Sequence, residues 1–294
     1  MNFMEQFSAR TLQDCWSLLY KNLACCVLDR WGKMGESAVR KAVHLCGERM
    51  GTLEREKQTA QGRRSNLAAC FSQPQMVLPD PRFQIKWQLF NEQEAVFDVL
   101  SCPIRDLLTE RDGSGALLLF CEEHLHGCIM GYTETVGQCC LAEDFAFPGE
   151  CSCRFSCYFR PANLPPDSRE LRFSSGPLAE EAAPGTYAVD PNAEVRITRW
   201  ASILVDSFLG ECVKIHDSGA VCAVASGLKA AAGETISYCR SLCAAVHRNL
   251  DDDFVKRNCL WGQPPHADEE LAPEAASLIE INYCRLLREA AGQR

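Results

Sequence analysis

The chain has 294 residues, 47% hydrophobic and 23% charged, with a formal net charge of -9 at pH 7. This size and balance suit one or two folded domains and exclude a disordered chain. The acidic surplus, with no basic stripe interleaved with aromatics, excludes binding by phosphate neutralisation, so no nucleic-acid partner is expected.

The first residues, "MNFMEQFSARTLQDCW", carry charges early and lack the apolar core of a secretory signal. No apolar run approaches the roughly 20 residues needed to span a bilayer, so a cytoplasmic chain without a membrane partner is expected. The 19 cysteines fit this, being odd in number and including the adjacent pairs Cys25-Cys26 and Cys139-Cys140. That is the pattern of reduced thiols rather than of a secreted disulfide framework, and most should act as small buried apolar residues.

From residue 8 to roughly residue 60 the pattern is helical. Leu12, Trp16, Leu19, Leu23, Cys26 and Val27 recur at spacings of three and four, and Gly32 and Gly35 break the helix. Val39, Ala42, Val43 and Cys46 line a second helix, which "GERMG" (Gly47 to Gly51) ends or bends before an exposed helical tail to Arg64. "SQPQMVLPDPRF" reads as a turn region. Phe83, Ile85, Trp87 and Leu89 alternate as a half-buried strand, and Ala95 to Leu100 returns beside it as a hairpin partner. Pro103 falls at a helix N1 position, capped by Ser101 or Cys102, and a short helix follows to Leu108. Residues 115–130 form a further helix containing "LFCEEHLHGC". "TETVGQCCLAED" and "CSCRFSCYFRP" read as strands joined by "FAFPGE".

Residues 162–195, rich in proline, glycine, serine and acid, read as a partly extended linker. Helices are expected at 196–215, 219–247, 250–259 and 273–291. The domains drawn from this are 1–161, a cysteine-rich α+β domain, and 196–294, a helical region. A displacement of 186 residues pairs Leu23 with Leu209, Cys26 with Cys212 and Gly47-Glu48 with Gly233-Glu234, the mark of a partial repeat of the N-terminal helices. The fold class expected is α+β, with a helical hairpin on a small antiparallel sheet and a mostly helical C-terminal region. The apolar faces of that region would either close a site or make a homo-oligomer.

Eight cysteines crowd between Cys102 and Cys157. Such thiols bind zinc with histidine as a frequent co-ligand, act as nucleophiles where a neighbour favours the thiolate, or simply pack. There is no C-x2-C pair, so zinc ligands would come from separate elements: Cys102, Cys121, His124 and Cys153. Cys102 stands where a helix N-terminus stabilises a thiolate. Cys151, Cys153, Phe155 and Cys157 share one face of their strand, with Ser152, Arg154 and Ser156 on the other. On the helix, Cys121, His124 and Cys128 share a face, and Glu122 and Glu123 offer proton acceptors. His126 and Cys128 fall to surface and packing, His44 and His247 to structural or exposed positions, and His216 to the end of a helix. No P-loop, dinucleotide fingerprint, G-x-S-x-G elbow or H-E-x-x-H occurs.

"C-P-I" at Cys102, "C-E-E-H" at Cys121 and "G-E-C-S-C-R-F" from Gly149, downstream of a helical pair ending in "GERMG", resemble the L-2-amino-thiazoline-4-carboxylic acid hydrolase family. The likeness spans roughly residues 10–160 and leaves the second half uncovered. It implies a hydrolase that opens a small sulfur- and nitrogen-containing ring by adding water at the carbon between the two heteroatoms. It also implies that the motif cysteines line the site. Glu150 stands where the family carries Asp, and His124 where many members carry an acid; either change would retune substrate choice. The resulting catalytic set is Cys102, Cys121, Glu122, His124 and Cys153. It works without a cofactor if a thiol is the nucleophile, or with zinc on Cys102, Cys121, His124 and Cys153. A non-catalytic module binding a small molecule or zinc through the same cluster is the competing expectation.

Overall fold

Gly32, at φ 53°, sets the corner between two long helices, α1 (Phe3–Trp31) and α2 (Lys33–Ala60). These come from a computed structural model that describes residues 3–72, 80, 82–142, 153–173, 193–262 and 271–292. Gly35, expected with Gly32 to separate the first helix from the second, lies inside α2, where a Cβ would stand 2.4 Å from the Val27 carbonyl oxygen. α2 also runs straight through "GERMG". It stops at Ala60, and Gly62 (φ 70°) turns the chain, so Arg63 and Arg64 lie beyond the helix.

Contacts divide the chain into two units, and the division falls inside α2 and α5. One unit comprises His44–Pro103 and Phe120–Asp190. Its sheet has the order β1-β2-β4-β3, all antiparallel, from β1 (Gln84–Phe90), β2 (Glu94–Ser101), β3 (Gln138–Ala142) and β4 (Cys153–Tyr158). Asn91 makes the hairpin turn, its side chain accepting from the backbone N–H groups of Gln93 and Glu94. Phe97 pairs with Phe155 in register and their rings stack at 5.5 Å. Ala95, Phe97, Val99, Phe155, Cys157 and Cys139 turn one face of the sheet into the core. Burying a phenylalanine there contributes on the order of 1.5–3 kcal/mol. The opposite face carries Asp98, which takes Arg154 Nε at 2.6 Å and Gln88 Nε2 at 2.7 Å. The arginine hydrogen bond holds the Asp98 carboxyl below its ordinary range. The alternation expected of residues 153–157 is present. Residues 143–152, with "FAFPGE" and Cys151, lie outside the described residues.

Against the apolar face lie Ile129 and Tyr132 of α5 (Ser114–Tyr132) and a short helix absent from the sequence expectation, α3 (Leu67–Phe71). Asn66 starts α3 by accepting from the Ala69 N–H at 2.9 Å. The connection expected to be extended begins instead with a 3-10 turn, Pro161–Asn163, and α6 (Pro166–Arg172). Proline at N1 permits that helix, and Leu164 and Phe173 beside it join the core. Residues 174–192 lie outside the described residues.

The other unit is helical and comprises Met1–Val43, Ile104–Leu119 and Pro191–Arg294. It holds α1, α4 (Pro103–Glu110) from Ile104 on, α7 (Ala193–Ile215), α8 (Asp217–Ala245), α9 (Asp252–Asn258), α10 (Pro273–Ile279) and α11 (Arg285–Ala290). A π turn, Glu280–Cys284, interrupts the last stretch, which the sequence reads as one helix. Leu12, Leu19, Leu23 and Val27 of α1 are buried where α1 packs on α7 and α8. Displaced by 186 residues, the bounds of α1 and α2 fall close to those of α7 and α8. His216 caps the start of α8, its Nδ1 accepting from the Gly219 N–H at 3.0 Å, rather than the end of α7. Two polar contacts tie α8 to α1: Tyr238 donates to Asp14 at 2.5 Å, and Lys21 meets Glu234 at 2.6 Å. The chain is therefore α+β with a helical C-terminal region, and none of its described helices is long and apolar enough to cross a membrane.

Candidate functional site

The positions picked from the sequence come from three pieces of the sheet-bearing unit. β2 ends at Ser101, Cys102 follows it, and Pro103 opens α4. Cys153 is the first residue of β4 and stands opposite Val99. Cys121, Glu122 and His124 lie on α5. The thiols of Cys121 and Cys153 hydrogen-bond each other, and Cys102 and Glu122 lie near enough for their charges to act on Cys121. That hydrogen bond, burial, and the charges of Cys153, Cys102 and Glu122 all push the Cys121 thiol up. All three cysteines are half-buried, and Cys102 and Cys153 pack against the core described above.

His124 lies on the expected helix, with Cys128 one turn on. Its Nδ1 lies 3.9 Å from Cys128 Sγ and its ring stacks on Phe120 at 4.6 Å, so Cys128 has a partner that spacing alone left open. Burial pushes the imidazole down to about 4. At neutral pH it is uncharged and a weak proton acceptor, suited to hydrogen-bond or ligate.

Among the described residues, two groups bring three ligating atoms within 4.8 Å of one another, and neither was picked from the sequence. One is Cys15 on α1, Cys239 on α8 and Cys259 after α9, all fully buried in the helical unit. Cys239 and Cys259 sulfurs lie 3.7 Å apart, and hydrogen bonds from Cys15 and Cys259 pull the Cys239 thiol down to about 5. The other is His44 on α2 with Glu123 and His126 on α5. His44 Nδ1 lies 3.4 Å from Glu123 Oε2, and the two imidazoles meet edge to face at 5.1 Å. Glu123 and His126, three apart, carry the one signal readable in sequence; His44 comes from a distant helix that no spacing rule connects.

A search of family models, of curated proteins and of solved structures returns no match to the chain.

Proposed function

We propose that the chain hydrolyses a small sulfur- or nitrogen-containing heterocycle, thiazoline-carboxylate-like, or the C–N bond of a related cyclic amidine or amide, through Cys102, Cys121 and Cys153. The hydrogen bond between Cys121 and Cys153, formed by thiols from a helix and a strand, is the observation that supports this most. A thiol that holds its proton beside a second sulfur favours the thiolate on that second sulfur, the reactive form. Cys153 then attacks the carbon between the ring heteroatoms, the carbon–sulfur bond breaks, and the departing sulfur takes the Cys121 proton. Glu122 accepts a proton from the water that next attacks that carbon and returns it to Cys121; the Cys153 thiolate leaves, and the remaining hydroxyl proton passes to the ring nitrogen as the carbonyl forms. Cys102, beside them, holds the substrate against the cluster. His124, neutral, positions water. No cofactor is needed.

The zinc alternative, with Cys102, Cys121, His124 and Cys153 as ligands, is less well supported: these four are not among the close ligand groups of the described residues. The odd count of 19 cysteines, with its adjacent pairs, supports a reducing, cytoplasmic setting; the proposed partner is the small-molecule substrate. The C-terminal helices remain the proposed surface for a homo-oligomer.

The test offers 2-amino-thiazoline-4-carboxylate and simpler cyclic amidines to the full chain and reads product by mass spectrometry. Turnover should fall about a thousandfold or more in Cys153→Ser. Parent rates in Cys102→Ser, Cys121→Ser and Cys153→Ser alike would sink the hydrolase reading. Binding without turnover would favour the non-catalytic module.

A further inference from the structure

We propose that His44, Glu123 and His126 form a binding site for a divalent first-row transition ion, zinc being the representative, with at least one coordination position left to water or an exogenous ligand. The proposal is independent of the thiol chemistry above, since it uses none of those cysteines.

Two imidazoles and one carboxylate are the donor set that suits borderline divalent ions, rather than the all-oxygen set of magnesium or calcium or the thiolate set of cuprous ion. Around a tetrahedral ion with bonds of about 2.1 Å, ligand atoms stand about 3.4 Å apart. His44 Nδ1 and Glu123 Oε2 already lie at 3.4 Å, and the third ligand atom is within 4.8 Å of both. An ion pair accounts for His44 and Glu123 but not for a second imidazole held at 5.1 Å, where two protonated rings would repel. His44 and Glu123 side chains are 26% and 23% exposed, so an ion has a route in and water has a place on it.

The backbone holds this arrangement. Gly127, next to His126, rests on α2 so closely that a Cβ would stand 2.1 Å from the His44 carbonyl oxygen. Gly47 meets the His124 carbonyl in the same way from the other helix, at 2.2 Å. With no side chain between the helices at these points, residues 44, 123 and 126 meet before any ion binds. Little chain ordering is left to oppose binding.

The full chain, stripped with chelator and kept reduced, is titrated with cobalt(II) and then with zinc. The expected result is one equivalent of cobalt giving visible ligand-field bands without a sulfur charge-transfer band, displaced by one equivalent of zinc. Glu123→Gln and His126→Ala should each weaken zinc binding at least about a hundredfold, and Cys153→Ser should leave it unchanged. All the substituted positions are half-buried, and a circular dichroism spectrum checks each variant's fold. Failure to bind one equivalent, a sulfur-to-cobalt band, or unaltered affinity in His126→Ala would each overturn the site.

Discussion

The buried imidazole of His124 makes folding depend on pH in a definite direction. Its titration falls from the ordinary 6.5 to about 4, so between those values the unfolded chain binds the extra proton. Stability is complete above pH 6.5 and is lost as pH falls toward 4, by at most about 3 kcal/mol. Part of the residue reaches the surface although Nε2 is sealed, which makes that figure an upper bound. His126, also pushed down by burial, adds to the slope with the same sign, whereas Asp98 acts only below its ordinary 3.8. Urea unfolding midpoints measured from pH 7 to 4 should decline, and His124→Phe should flatten that decline; an unchanged slope would contradict it. The thiols supply a second residue-level prediction. Exposed Cys140 and Cys222, and Cys153 as the proposed thiolate, should alkylate first in the native chain, half-buried Cys102 after them. Buried Cys46, pushed up to about 12 by burial, should react only on unfolding. Peptide mapping that finds Cys46 among the fast thiols would refute the packing described. Individual thiols were legible in the sequence as a cluster, because helix and strand periodicities place Cys121 and Cys153. Which proton each keeps was not, because that depends on a sulfur arriving from another element.

Glycines at helical spacing were read as a stop and prove to be a contact. Gly47 and Gly51 on α2 face Gly127 and Gly131 on α5, each pressed against backbone of the other helix. In isolation a glycine weakens a helix by up to about 1 kcal/mol relative to alanine, which is why "GERMG" resembles a helix end. Contact with a second helix reverses that preference, since a Cβ at Gly51 would stand 2.0 Å from the Cys128 carbonyl oxygen. Gly47→Ala and Gly127→Ala should therefore destabilise by about 1–3 kcal/mol or more, through forced separation of the helices. Gly210→Ala and Gly233→Ala, in α7 and α8 with nothing within 4 Å of the new carbon, should stabilise by up to about 1 kcal/mol. Chemical denaturation of the four variants checks both signs, and a stabilising Gly47→Ala would refute the close packing. The strands were legible because their alternation is regular and one face is apolar. α3 was not: it has only five residues, too few for a period, and its cap Asn66 signals a turn equally well.

One unit draws on three separate stretches of chain, and this governs what can be cut away. α1 buries Leu18, Leu19 and Leu23 against helices that begin more than 160 residues later. Residues 1–161 expressed alone leave that face in water, and they should show no cooperative transition for α1 and should aggregate. A soluble fragment of that length with a sharp transition and the full helical signal of α1 would show that α7 and α8 are dispensable to it. The boundary at 162–195 was drawn from composition, which marks where a chain is poor in apolar residues but not which helices share a core.

By itself the sequence determined the α+β class and the positions of all four strands and most helices, because these follow from local periodicity and chain-neighbour geometry. Only the tertiary structure decided that Gly47 faces Gly127, that α1 belongs with α7 and α8, and that His44 meets Glu123 and His126. Each of those depends on two segments far apart in the chain reaching contact distance, and no spacing within either segment encodes that distance.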